Sequence, residues 1–376
     1  MVGTIAVALC MLVNLGGLRA YFRFQTINLV VGVVTFLVLV GVFLVNSKAD
    51  FIRGINEFAA GGGGAKDAYN AIIDGAKSGG MPGGITVRDT LGIFAVTWLL
   101  GYASTYIAGE VRSPKRTQIV GSVYGSLLYA AVSILLLLAI YRSVPSEFNK
   151  AAAWMNYNSA DYYSIVPSDP TFVTWAAAMV HSTFVLVVIA VGLVVWSFFW
   201  LPSAMIIATR AIFAWSLERL APTSLSGVNS RTNAPVAATV LVAAIAEAFL
   251  VAYWQGWFNY LTPFLAYAGV FVVVSVAAIV AGYRESTRTY LEGAGWGQRI
   301  AGVPLISLCG VVGLLYWGIA LYFALTVDAL LLNTTKQIVL TAAQFAVPFV
   351  AFFVIAALRR SRGIRLEAAY QELPPE

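Results

Sequence analysis

Long apolar stretches separated by short polar segments dominate the hydrophobic pattern of this chain. A helix that crosses a bilayer needs about 20 apolar residues, and stretches of this kind recur about nine times. They lack the apolar–polar alternation that is typical of barrel strands. The candidate spans are Val2–Leu18, Ile27–Val45, Leu91–Ala108, Ile119–Ile140, Phe172–Ile207, Val236–Trp254, Phe258–Ala281, Ile300–Val327 and Ile338–Leu358. The pattern therefore predicts an all-α integral membrane protein with about nine transmembrane helices.

The fifth stretch, Phe172–Ile207, is too long for one simple crossing of the membrane. Pro202 lacks a backbone N–H and can bend a helix near its end. We interpret the stretch as one long tilted helix that runs into an interfacial amphipathic segment, Ala208–Leu220. Two separate crossings are the alternative.

Two connections are long enough to hold structure of their own. Ser47–Asp89 contains the glycine run Gly61–Gly64 and predicts a flexible cap or a short surface helix. Arg142–Thr171 is rich in aromatic residues, which suit a membrane interface and leave a substrate lid as the alternative. The aromatic residues are Trp154, Tyr157, Tyr162 and Tyr163.

Composition supports the membrane class and excludes several others. The chain is 60% hydrophobic and 11% charged, whereas soluble domains carry roughly 25% charged residues. The net charge of +6 comes from basic residues in short caps between spans, so we expect no nucleic-acid partner. Cys10 and Cys309 lie in separate apolar stretches, which gives no metal-ligand spacing. The common enzyme signatures are missing too, and we predict neither an enzyme nor a cofactor.

The distribution of Lys and Arg predicts the orientation of the chain. One alternating set of connections holds about twice as many as the other, and by the positive-inside rule it is cytoplasmic. This set holds Arg19, Arg23, Arg112, Lys115, Arg116, Arg210, Arg219, Arg231, Arg284, Arg288, Arg299, Arg359, Arg360, Arg362 and Arg365. The C-terminus is then inside and Met1 outside.

An external start that opens directly into a span is awkward to insert. We therefore expect missing helices upstream, with a nine-helix protein as the alternative.

Two segments carry a family resemblance. Gly101–Arg116 reads GYASTYIAGEVRSPKR, with small and hydroxyl residues before a basic Pro-containing run. Thr209–Pro222 reads TRAIFAWSLERLAP, and Arg231–Pro235 reads RTNAP. These segments resemble the sixth helix and the region after the eighth helix in the amino acid–polyamine–organocation (APC) superfamily of transporters.

The resemblance implies a fold of two inverted five-helix repeats followed by two extra helices. The nine spans then match helices four to twelve of a twelve-helix protein, without the first three and their Gly-rich substrate break. The implied divisions are 1–46 for the end of the first repeat, 47–89 for an external loop, 90–282 for the second repeat, 283–358 for the extra helices and 359–376 for a cytoplasmic tail.

The resemblance also implies a permease that carries amino acids or related amines across the plasma membrane by alternating access. The alternatives are a non-transporting scaffold or partner subunit, and an inactive truncated transporter. The predicted partners are the small-molecule substrate, H⁺ or Na⁺, and membrane lipid. No metal site is predicted.

The predicted substrate site is an interrupted stretch of the sixth family helix. Exposed backbone groups and half-helix ends can hold a zwitterion there without a buried full charge. Close helix packing is the alternative use of such small residues. The residues are Thr97, Trp98, Gly101, Tyr102, Ala103 and Ser104.

Other polar residues are candidates for ion coupling and gating. Buried ionisable groups are functional suspects, although helix contacts or simple hydrogen bonding are the alternatives for Glu247 and His181. The coupling candidates are Glu247, His181, Ser197 and Ser203. The candidates for a cytoplasmic gate are Glu110, Arg112, Lys115, Arg116 and Arg210.

Overall fold

The computed structural model describes residues 2–83, 114–159, 161–257, 262–293, 296–327 and 332–364. Within this part of the chain the structure is almost entirely helical. The helices are α1 Val2–Leu15, α2 Gly17–Val45, α3 Lys48–Gly61, α4 Ala68–Ser78, α5 Pro114–Ser143, α6 Ser146–Asn158, α7 Tyr162–Ile165, α8 Phe172–Met179, α9 Thr183–Leu217, α10 Val236–Trp254, α11 Thr262–Ala281, α12 Glu285–Gly293, α13 Leu305–Thr326 and α14 Thr335–Ser361. A short hairpin pairs β1 Arg299–Ile300 with β2 Val303–Pro304.

Seven of the described helices, α2, α5, α9, α10, α11, α13 and α14, are long and apolar enough to cross a membrane. A helix satisfies most of its backbone hydrogen bonds within itself, as a lipid environment demands. The predicted all-α integral membrane class is confirmed. The predicted span Leu91–Ala108 lies outside the described residues.

Several predicted boundaries are wrong. The connection that we placed between the first two spans, with Arg19 and Arg23, is helical, because α2 begins at Gly17. The first span is correspondingly short: α1 has 14 residues, fewer than the roughly 20 needed for a simple crossing. The eighth span begins at Leu305 rather than Ile300, because the β1–β2 hairpin occupies the residues before it.

The fifth predicted span is broken, which overturns our interpretation of one continuous helix from Phe172. α8 ends at Met179, residues 180–182 are non-helical, and α9 begins at Thr183. A second correction concerns the predicted interfacial segment Ala208–Leu220. α9 runs through Pro202 without ending and includes this segment as far as Leu217, because its apolar character continues past the proline.

Helices α3, α4, α6, α7 and α8 pack into a compact helical cap. Its core side chains are shielded from solvent: Phe51 and Phe148 are 0% exposed and Trp175 is 1% exposed. The three rings contact one another edge to face, the arrangement that aromatic quadrupoles favour. The described part of the long connection after α2, residues 46–83, therefore contains two helices, which agrees with the predicted surface helix and not with a flexible cap. Apolar residues at helical spacing on α3 and α4 bury one face of each helix.

The aromatic residues of the second long connection divide between the cap core and its surface. Tyr162 is fully buried in the cap, and this burial raises the pKa of its phenol. Tyr163 is exposed and its hydroxyl donates to Asp169 Oδ1 at 2.6 Å. Trp154 packs beside Gly79, and Tyr157 is exposed. Tyr162 thus stabilises the cap instead of facing a membrane interface.

A capping box at the start of α3 makes the cap sensitive to acid. The Ser47 hydroxyl and backbone N–H bond the Asp50 carboxylate, which lowers the pKa of Asp50 below its ordinary value of 3.8. A group with a lowered folded pKa stabilises the fold above its unfolded pKa, and this contribution is lost as pH falls through the folded value. We expect Asp50→Asn to lower the melting temperature at pH 6 and to have a smaller effect at pH 3, because that pH lies below the ordinary pKa and part of the contribution is already lost. Glu57→Gln, on the same helix, is the control for both pH values.

Candidate functional site

The predicted substrate segment lies outside the described residues. This holds for Thr97, Trp98, Gly101, Tyr102, Ala103 and Ser104, and for the gate candidates Glu110 and Arg112. Lys115 lies in the first turn of α5, and Arg116 follows it with an exposed side chain. Buried polar residues of α1, α2 and α9 meet one another through hydrogen bonds, and the site is built from these helices.

One face of α2 carries polar and small residues in an otherwise apolar helix. They recur at alternating spacings of four and three residues, which places them on one side of a helix. These residues are Tyr21, Gln25, Asn28, Gly32 and Thr35. Our sequence interpretation missed this stripe, although its spacing is visible in the sequence and is typical of packed membrane helices.

Two glycines bring α2 and α9 together along this stripe. A Cβ at Gly32 would overlap the Trp196 ring, and a Cβ at Gly192 would overlap the Thr35 side chain. The Trp196 ring also stacks on Phe199, with centroids 5.4 Å apart and planes 5° apart. Small residues therefore set the distance between these helices, as they commonly do in membranes.

Pro202 interrupts the hydrogen-bond ladder of α9, and side chains of α1 and α2 bind the neighbouring groups. Proline has no N–H to donate to the carbonyl four residues earlier, and its ring bends the helix. Asn14 Nδ2 donates to the Pro202 carbonyl at 3.3 Å. Gln25 Nε2 donates to the Phe199 carbonyl and to Ser203 Oγ, both at 2.9 Å. The Tyr21 and Ser203 hydroxyls share a hydrogen bond of 2.8 Å. We call Asn14, Tyr21, Gln25, Phe199, Pro202 and Ser203 the Pro202 cluster.

Several buried oxygens at and below this cluster have no hydrogen-bond partner among the described residues. They are Asn14 Oδ1, Gln25 Oε1 and Thr209 Oγ1. Asn14 is 7% exposed and Thr209 is 4% exposed, so solvent does not readily satisfy them. Both line a cavity of about 20 Å³, which also contacts Arg210. This space is enough for about one water molecule. The arrangement offers neutral oxygen ligands beside an interrupted helix.

The second family motif closes this cavity from one side. Asn229 Oδ1 accepts hydrogen bonds from the backbone N–H groups of Arg231 at 2.9 Å and Thr232 at 3.2 Å. The resulting tight loop presses the Thr232 carbonyl against Gly17, which has a φ of 77°. Only glycine adopts this left-handed conformation at low cost. The RTNAP loop therefore packs on the α1–α2 junction.

The remaining predicted residues occupy separate places. Ser197 is exposed on α9 and donates to the Leu193 carbonyl of its own helix at 2.8 Å. His181 is exposed in the break between α8 and α9. Glu247 is half-buried on α10. The described residues contain no group of His, Cys, Asp and Glu that could hold a metal ion.

The long apolar helices and the buried polar cluster at an interrupted helix define a multi-pass membrane protein of the transporter class. The sequence model described as "Amino acid permease" matches residues 1–357, and the chain belongs to this family. No curated protein and no solved structure gives a significant match to the chain. The predicted membership of the APC superfamily is confirmed, and the family implies a small-molecule substrate, such as an amino acid.

Proposed function

We propose that this permease carries amino acids or related amines across the plasma membrane by alternating access, coupled to H⁺ or Na⁺. The observation that carries the proposal is the proline inside α9, which removes one backbone hydrogen bond, together with side chains of α1 and α2 that donate to the nearby carbonyls of Pro202 and Phe199. Broken helices with open backbone groups are the binding elements of many secondary transporters. Family membership supports a substrate that carries amino and carboxylate groups.

The proposed substrate site remains the segment from Thr97 to Ser104, with Gly101 at its centre. A zwitterion needs a donor and an acceptor at opposite ends, and the ends of half-helices supply both as partial charges. This arrangement avoids a full charge in the bilayer, which is costly. We expect the Pro202 cluster to support the binding helices rather than to hold the substrate, because its cavity is small.

Ser203 is the stronger of the two serine candidates for coupling. Its hydroxyl forms hydrogen bonds with both Tyr21 and Gln25 across the interface between α2 and α9. Buried oxygens of Asn14, Gln25 and Thr209, which have no partner among the described residues, lie on α1, α2 and α9. Neutral oxygens of this kind are suitable ligands for a hard cation. Ser197 bonds only within α9.

In this proposal the Pro202 cluster is also the hinge for alternating access. A helix without one of its backbone bonds bends at lower cost than a regular one. The bonds from Asn14 and Gln25 reach the carbonyls of Pro202 and Phe199 and hold α9 at one bend angle. If water or a cation replaced Asn14 and Gln25 at these carbonyls, α9 could change its bend angle. In this proposal Arg116 and Arg210 face the cytoplasm.

A matched pair of serine variants tests the proposal. The purified chain is reconstituted in proteoliposomes, and uptake of radiolabelled amino acids is measured under an imposed H⁺ or Na⁺ gradient. We expect Ser203→Ala to reduce uptake about tenfold or more, because it removes the hydroxyl that links α9 to α2. Ser197→Ala, six residues away on the same helix, should transport like the parent chain.

Three outcomes are informative. Uptake no greater than in protein-free liposomes would contradict transport and support the scaffold alternative. An equal loss of uptake in Ser203→Ala and Ser197→Ala would contradict a role of Ser203 that Ser197 does not share. Uptake that is insensitive to both gradients would contradict ion coupling while leaving the permease function in place.

A further inference from the structure

A polar cavity lies at the edge of the membrane-spanning part of the chain, between the end of α11 and the start of α13. Its volume is about 220 Å³, far larger than the cavity beside Asn14. α11 ends at Ala281 and α13 begins at Leu305, so residues between them lie where two apolar helices leave the bilayer. The polar and charged residues around the cavity are Tyr283, Arg284, Glu285, Arg288, Glu292 and Arg299.

The wall formed by α12 is fixed to the end of α11. The Thr287 hydroxyl lies 2.6 Å from the Ala281 carbonyl and 2.9 Å from the Arg284 carbonyl. These carbonyls lie at a helix end, where intrahelical partners run out. A Cβ at Gly282 would overlap the Ser307 hydroxyl, so the end of α11 also contacts the first turn of α13 directly. Hydrogen bonds and close packing therefore hold the backbone on this side of the cavity in place.

Arg299 of the β1–β2 hairpin and Gly297 just before it also line the cavity. The Leu291 carbonyl accepts hydrogen bonds from the N–H groups of Trp296 at 2.8 Å and Gly297 at 2.9 Å. Ala301 and Gly302 both have positive φ, of 49° and 82°, as a tight hairpin turn requires. Arg299 Nη1 donates to the Gly302 carbonyl at 3.3 Å, which holds its guanidinium over the hairpin.

The charges around the cavity leave an excess of positive charge. Arg288 Nε donates to Glu292 Oε1 at 2.8 Å, and this pair raises the pKa of Arg288. Glu285 also lines the cavity, together with two further guanidinium groups, those of Arg284 and Arg299, so that three arginines stand against two glutamates. A guanidinium can bond two oxygens of one phosphate in a single plane, which a lysine cannot do. The cavity is thus suited to a singly charged phosphate diester.

We infer that this cavity binds the phosphate of a membrane phospholipid, with Arg284 and Arg299 as its ligands. Basic cavities between membrane helices on the cytoplasmic side commonly bind lipid headgroups. The headgroup would lie between the ends of α11 and α13, and the acyl chains would run along their exposed apolar sides, which include Val280 and Val312. The inference does not depend on which solute is carried.

Lipid-dependent thermal stability of the purified full chain in detergent tests the inference. Phosphatidylglycerol should raise the melting temperature, because a ligand that binds only the folded state stabilises it. Arg284→Gln with Arg299→Gln should weaken the apparent lipid affinity about tenfold. The control is Arg359→Gln with Arg362→Gln, which removes two arginines at the end of α14 and should leave the affinity unchanged.

Two soluble or uncharged probes separate the sources of the effect. Diacylglycerol, which lacks the phosphate, should give no rise, and an equal rise would overturn the inference in favour of apolar contacts. Glycerol 3-phosphate should bind far more weakly than the lipid, and equal binding would identify a soluble phosphate ester instead.

Native mass spectrometry counts retained phosphatidylglycerol molecules. If the double glutamine variant fails to fold, Arg284→Lys with Arg299→Lys should still lose part of the affinity, and unchanged affinity in it would overturn the inference.

Discussion

Gly17→Ala is expected to destabilise the chain by at least about 3 kcal/mol, the largest effect of any single methyl group that we predict. Gly17 has a φ of 77°, where an alanine costs about 1–2 kcal/mol. The added Cβ would also overlap the Thr232 carbonyl, which belongs to backbone and cannot rotate away. We expect a lower melting temperature in detergent and a loss of uptake, because the RTNAP loop must move away from the α1–α2 junction.

Gly63→Ala separates the two causes. Gly63 has a similar φ of 85°, but a Cβ there meets nothing within 4 Å. This variant should show only the backbone cost of about 1–2 kcal/mol. Equal destabilisation by the two substitutions would mean that the contact between Gly17 and Thr232 contributes nothing.

Gly32→Val should separate α2 from α9, with a cost of about 3 kcal/mol. The new side chain would enter the space filled by the Trp196 ring, and the stripe from Tyr21 to Thr35 would lose its register with α9. Because Gln25 reaches the Phe199 carbonyl across the same interface, we also expect uptake to fall. Unfolding in detergent and uptake in proteoliposomes measure the two effects.

Removal of the obstructing ring should restore part of the lost stability. In Gly32→Val with Trp196→Ala, the valine fills space that the indole vacates. We expect the loss in free energy of unfolding of the double variant to be smaller than the sum of the losses of the two single variants, by about 1 kcal/mol or more. Gly41→Val is the control on the same helix, since a Cβ there meets nothing within 4 Å. Strictly additive effects would contradict direct contact at this position.

The membrane class and the family were readable from the sequence, because they depend on local features. Length and apolar character decide whether a helix can cross a bilayer, and the predicted spans overlap α2, α5, α9, α10, α11, α13 and α14. The GEVRSPKR and RTNAP segments carried the resemblance that the family match confirmed. The orientation, the division into repeats and the substrate segment around Gly101 stay predictions.

Other features could not be read from local pattern. α8 ends at Met179, just before the polar residues His181 and Ser182, and its end coincides with the approach of Gly54 to the Ala178 carbonyl, which the sequence does not indicate. The apolar residues of α3 and α4 pack against Phe148 and Trp175, which lie far away in sequence, and the local pattern does not identify these partners. Tyr162 is buried for the same reason, although its sequence neighbours suggest an interface residue.

The sequence by itself determined that this is a membrane protein, where its long helices lie approximately and to which family it belongs. Hydropathy and short motifs depend only on residues that are close together in the sequence. Only the tertiary structure decided which polar groups meet. Asn14 and Gln25 reach α9 across more than 170 residues of chain, and this pairing depends on the close approach that Gly32 and Gly192 allow. A long-range contact of this kind requires two surfaces to fit, and no single segment carries that information.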